Sequence, residues 1–349
     1  MFKRILVPLD GSQRAEQAIA IAMQLAKASG ASLLLLEAIN PTHGFALSPA
    51  RSAAYLQKLQ GKRQIEATAY LAKLAHSLEG EGVETHIAVL SGQPAPTILN
   101  VIQEQEIDLV VLNSHGHTGF QRWALGSVSQ KVLRQCPVPV LLLREQKIEH
   151  AERFPHPFRA TIALDGSPFA EAALLPAVFV VTALNQPGEG ELHLLQFVEM
   201  PTIEEEFGYL LDSDFNFRHA ALQEASHYLQ ALHARLLHEL PATAGLHISW
   251  SVEECQDVAD ALIQIAEHGQ GIGSHKVSQL IALATHGRSG LHRLILGSVT
   301  ERVLLGSTLP LLIIHPPKTA CLQNKEEDEM AQPDAGKEQA WQKHEAESV

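Results

Sequence analysis

The chain has 349 residues, 46% hydrophobic and 19% charged, with a formal net charge of −13 and 3 cysteines. That is enough apolar material for a core in each of two ordinary domains, while the acidic balance excludes a nucleic-acid partner, which would need a basic face. Cysteines without framework spacing exclude a disulfide scaffold and point to a reducing, cytoplasmic setting; the apolar run 172–184, broken by Pro176, is too short to span a bilayer, and the first ten residues hold no signal-peptide pattern.

In chain order, a strand is predicted at 5–9, a helix at 14–29, a strand at 32–38, a helix at 53–78, a strand at 84–90, a helix at 95–105, a strand at 109–112, a helix at 127–134 and a strand at 138–142. Short Val, Ile and Leu runs that alternate with amphipathic stretches imply parallel strands joined by right-handed crossovers, with helices on both faces. The fold class is therefore doubly wound α/β. Asp10 closes the first strand, ahead of Gly11-Ser12, at the sheet edge where such folds bind ligands. Its carboxylate suits ribose hydroxyls or a base amino group, and equally a turn or the cap of the following helix; the two roles are compatible.

The strand at 109–112 leads into His115-Gly116, nine residues, then Gly126-Ser127-Val128. A phosphate chain needs backbone N–H groups aimed at it and little side-chain bulk in the way. Gly116 permits close approach, and Gly126 with Ser127 opens a helix whose unpaired amides and positive dipole end favour an anion. Ser127 can cap that helix or donate to a phosphate oxygen, Ser129 lies on its first turn, and Arg122 sits in the loop. His115 either stabilises the turn or bonds a phosphate.

From 159 the pattern starts again. Thr161 to Ser167 repeats the first strand with Asp165-Gly166-Ser167, and Ala170-Glu171 answers Ala15-Glu16. After 280–283 come His286-Gly287, nine residues and Gly297-Ser298-Val299, with Thr300 on the first turn and Arg288, His292 and Arg293 in the loop. The extra loop arginines favour the second half for phosphates; Gly92-Gln93-Pro94-Ala95 in the first half, against Cys255-Gln256-Asp257-Val258 in the second, favours the first as scaffold. The organisation expected is a domain at 1–144, a linker at 145–158, a domain at 159–317 and, at 318–349, an acidic tail whose composition cannot repay ordering.

Asp-Gly-Ser after the first strand, His-Gly-x9-Gly-Ser-Val, and closing strands Cys136-Pro137-Val138-Pro139-Val140 and Leu309-Pro310-Leu311-Leu312 together resemble a universal stress protein, present in tandem. The resemblance implies, in each half, a five-stranded parallel sheet of the adenine-nucleotide alpha-hydrolase-like type. It implies pairing through the last strand, which a tandem chain can satisfy between its halves as a pseudo-dimer or with a second copy. ATP is the implied ligand, with Mg2+ carried on the phosphates. Transferred residue by residue, it places Asp10 and Asp165 on the adenosine side, Ala38 and Phe197 near the base, and the phosphates on Gly116, Gly126, Ser127 and Ser129 and on Gly287, Gly297, Ser298 and Thr300. The family's ATP motif begins with a glycine that is Asn113 here and Ala284 in the second copy, a departure that Asn eases by its tolerance of left-handed backbone and Ala by its small size.

The expected function is an adenine-nucleotide-binding module in stress-response signalling or regulation. The alternatives are a stress scaffold with degenerate sites and, last, a slow ATPase or adenylyl-transfer enzyme, since no Walker-type lysine, metal cluster or water-activating group is visible and no catalytic residue is assigned. The histidines show no metal-ligand spacing; Cys136 fits an apolar core, and Cys255 is a weak redox candidate. Replacing Gly126 and Gly297 by valine is expected to abolish nucleotide retention with little change in melting.

Overall fold

The computed structural model describes residues 2–40, 53–114, 125–144, 157–185, 188–199, 211–240, 245–270, 276–285 and 296–316. The acidic stretch 318–349, most of the expected linker and all but the last residue of each nine-residue loop lie outside them.

The first half runs β1 (Arg4–Leu9), α1 (Gln13–Ser29), β2 (Ser32–Ile39), α2 (Ala53–Ser77), β3 (Thr85–Ser91), α3 (Pro94–Glu104), β4 (Leu109–Asn113), α4 (Ser127–Gln135) and β5 (Val140–Leu143). The second runs β6 (Arg159–Leu164), α5 (Pro168–Glu171), α6 (Leu174–Leu184), β7 (Gly190–Glu199), α7 (Leu211–Glu239), β8 (Leu246–Cys255), α8 (Val258–His268), β9 (Leu280–Ala284), α9 (Ser298–Gly306) and β10 (Leu311–Ile314). The strand order is β3-β2-β1-β4-β5-β10-β9-β6-β7-β8. Strands within each half pair in parallel, whereas β5 and β10 meet antiparallel, with Leu312 opposite Leu141. The two doubly wound sheets are thus one ten-stranded sheet, and the C-terminal ends of the strands in one half face the opposite way from those in the other.

Period-two alternation along the strands divides the core. Ile5, Val7, Leu33 and Leu35 face α1 and α2, while Leu6, Leu34, Leu36, Val110 and Leu112 face α3 and α4; each cluster continues across the β5–β10 seam into the second half. At the seam, Phe2 and Phe179 meet edge to face at 4.7 Å, Arg134 on the last turn of α4 pairs with Glu301 on the first turn of α9 at 2.6 Å, and Arg144 donates to the Leu304 carbonyl.

Two details differ from the sequence reading. The helix after β6 is broken into α5 and α6, because Pro176 has no N–H for the carbonyl four residues back and its ring crowds that position; it fits only in the first turn of a new helix. Phe158, placed in the linker, is 1% exposed, and its backbone N–H and C=O bond the Asn185 side chain at 2.9 and 3.1 Å, so packing of the second half begins there.

Candidate functional site

β1 lies between β2 and β4, so the connections leave its C-terminal end in opposite directions and open a crevice, the place where doubly wound sheets accept ligands. In the first half this crevice is a cleft of about 800 Å³ walled by Asp10, Glu37, Ala38, Tyr70, Asn113 and the Gly126-Ser127-Val128-Ser129 turn.

Asp10 is held by its own loop. Gly11 takes φ +79°, which only glycine adopts without strain, and the turn brings the Ser12 N–H and hydroxyl to Asp10 Oδ1 at 3.1 and 2.6 Å. Ser12 in turn caps α1 by accepting from the Ala15 N–H at 3.2 Å. The second half repeats this arrangement: Gly166 at φ +81°, Ser167 bonded to Asp165 at 2.9 and 2.6 Å, and Ala170 N–H on the Ser167 hydroxyl at 3.2 Å. The serine is therefore the helix cap, and the aspartate orients the serine.

Glu37, unsuspected from the sequence, lies two residues before the end of β2, opposite Leu9. Its Oε2 is buried and has no hydrogen-bond partner among the described residues, and burial, then the neighbouring Asp10 charge, push its carboxyl above the ordinary range. Gln196 holds the same place opposite Leu164, and its Oε1 is likewise buried without a described partner. The signal lay in a charged residue interrupting the apolar run of β2, but only the register shows that it shares a cleft with Asp10.

On the opposite wall, α4 begins at Gly126 with no side-chain cap. The Gly126 amide donates to the Ser114 carbonyl at 2.8 Å, and the Ser129 hydroxyl to the Asn113 carbonyl at 2.9 Å. The second half matches: Gly297 to Thr285 at 2.8 Å and Thr300 to Ala284 at 3.0 Å. These groups fasten the helix to the strand before it. By helix geometry, the amides of Ser127, Val128 and Ser129, and of Ser298, Val299 and Thr300, stay without intrahelical acceptors. Asn113 and Ala284 are extended strand residues, so the motif's missing glycine imposes no left-handed strain; the Asn113 side chain donates to the Arg14 carbonyl instead.

Gly297 has φ −56°, and a Cβ built there would lie 2.9 Å from the Thr285 carbonyl oxygen. Close approach is therefore the reason for this glycine, and the expectation that valine at 126 and 297 spares melting is corrected for 297. Gly297→Ala is expected to destabilise by about 1–3 kcal/mol, read as a lower urea midpoint; an unmoved midpoint would mean that the Thr285 carbonyl yields freely.

Gly116, Gly287, His115, His286 and the loop arginines lie outside the described residues. Ala38 is half-buried in the cleft, and Phe197 packs against the core of the second half. Burial, with Glu199 and Asp257 nearby, pushes the Cys255 thiol up to about 11, which disfavours the thiolate; burial pushes Cys136 to about 12. Among the described residues no three His, Cys, Asp or Glu side chains converge as a metal site, and no helix is long and apolar enough to cross a membrane.

Fold and crevice together define a doubly wound, Rossmann-like domain occurring twice. The profile described as the Universal stress protein family matches residues 1–144 and again 158–315, and the chain belongs to that family, with two such domains. A universal stress protein of Thermus aquaticus is 35% identical over 144 residues, 41% of this chain and 100% of that one. One from Mycobacterium bovis is 24% identical over 331 residues, 90% and 95% of the two chains. The crystal structure of a universal stress protein from Archaeoglobus fulgidus, 20% identical, has a TM-score of 0.58 over 90% of this chain and 97% of that one, a likeness of fold.

Proposed function

We propose that the protein binds an adenine nucleotide, ATP, and works in the cytoplasm as a stress-response regulatory module. The observation that carries this is the first-half cleft: open helix amides on one wall face Asp10 and the buried acceptor of Glu37 on the other, which suits a molecule with an anionic end and a hydroxyl- and amino-bearing end. In this reading Asp10 takes ribose hydroxyls, Ala38 leaves room for the base, and Gly126, Ser127 and Ser129 shape the phosphate turn, with Mg2+ held by the phosphates rather than by side chains. Asp165, Phe197, Gly287, Gly297, Ser298 and Thr300 hold the corresponding positions in the second half, and Gly116 completes the first-half set. Binding, with no catalytic residue, fits a role in which occupancy is reported to a partner or to a second copy.

Native mass spectrometry of the freshly purified protein tests this. A mass increment matching an adenine nucleotide, lost on denaturation, is expected; bare protein that also fails to take up added MgATP would refute it.

A further inference from the structure

The two halves do not present equal sites. We propose that each chain binds a single nucleotide, in the first-half cleft, with Lys131 as the side-chain cation on its phosphates; this rests on the adenine-nucleotide reading above.

Lys131 stands four residues after Ser127, one turn along the same face of α4, and lines the cleft. Helical side chains lean toward the N-terminus of their helix, so the Lys131 side chain leans toward the turn whose amides are open. It is exposed and makes no hydrogen bond or ion pair with any described residue. In the second half the same place, four residues after Ser298, is held by Arg302, and that guanidinium is already engaged. It pairs with Asp257, the N-cap of α8, and with Asp260 at 3.2 Å. The corresponding positions at the start of α3 are Gln93 and Pro96, which carry no charge. An incoming polyanion therefore meets an open cation in the first half, and in the second a cation neutralised by two carboxylates that themselves repel it.

The base end differs in the same direction. Glu37 and Gln196 are register equivalents, so Ala38 and Phe197, one residue on, are too. Where the first half has a methyl group on the cleft wall, the second has an aromatic ring packed onto its own core. A base entering there must displace the ring or forgo the space it fills. The loop arginines of the second half are an opposing influence, and stoichiometry measures the net result.

Calorimetric titration of the full chain with MgATP is expected to show one equivalent bound. Lys131→Gln should weaken binding about tenfold without moving the melting temperature, since the side chain is exposed and has no partner among the described residues. Ala38→Phe should abolish binding, with a melt confirming the fold, and Arg302→Gln should leave affinity within about twofold. Two equivalents of similar affinity, a Lys131→Gln isotherm that overlays the parent, or a folded Ala38→Phe variant that still binds would overturn the proposal while leaving nucleotide binding intact. Silence of the parent protein toward ATP, ADP and AMP would instead overturn the reading on which it rests.

Discussion

Glu191→Ala is expected to destabilise the protein by about 3–5 kcal/mol at neutral pH, because it strands a charge the fold has taken out of water. Glu191, on β7, accepts from Arg159 on β6 at 3.0 Å and from Lys276. Arg159 and Glu191 are 6% and 7% exposed, whereas the Lys276 side chain is 68% exposed and can turn to solvent when its partner is lost. Arg159 cannot, and its Nε is already buried without a described partner, so the guanidinium would be left almost wholly unsatisfied. The pH dependence has a definite sign. Burial alone would raise the Glu191 carboxyl, but Lys276 and Arg159 more than offset it and hold the group below its ordinary 4.5. A depressed carboxyl contributes stability above the ordinary range and loses it as pH falls through the folded-state value. The gap between parent and variant should therefore be widest at neutral pH and close in acid, as paired urea titrations at pH 7 and near pH 3 would show. A gap independent of pH would mean that the carboxylate charge is not what the site needs.

Leu312→Pro should have a comparably large effect, at least about 3 kcal/mol, and should act on both halves at once. Leu312 is fully buried on β10 between Leu141 of β5 and Ala282 of β9, so proline removes a ladder donor at the strand that unites the halves and also unmakes a packed leucine. Calorimetric unfolding is expected to fall in midpoint and to split into two transitions as the halves lose their shared sheet. A single unshifted transition would show that each half stands without the seam.

Much of this was legible because it is local. Asp10-Gly11-Ser12 specifies its own turn: a glycine in the left-handed region, a serine that caps, an aspartate two residues back that holds the serine. The alternation of Val- and Leu-rich runs with amphipathic stretches fixed strand and helix order nearly to the residue. What escaped was set by register and by distant neighbours. Glu37 matters because it comes to lie beside Leu9 across a parallel pair. Lys131 and Arg302 look alike in sequence, and only the placement of Asp257 and Asp260, some forty residues earlier on another helix, separates them. Ser129 and Thr300 were expected to reach for phosphate, yet their hydroxyl protons bond the strand carbonyls just beneath them, a contact the spacing alone does not distinguish from a ligand contact.

Joining β5 to β10 inside one polypeptide has a further outcome. When two identical chains assemble about a twofold axis, every substitution strikes both copies, and neither can change without the other. Here the partners share a backbone but not a sequence. One can carry Ala38 on its cleft wall while its twin carries Phe197 packed on the core, and Arg134 can reach across to Glu301 with no reciprocal bond, because Gln130 and Leu305 occupy the mirrored places. Covalent fusion thus releases the pair from enforced sameness, so that two members with different clefts coexist in one molecule.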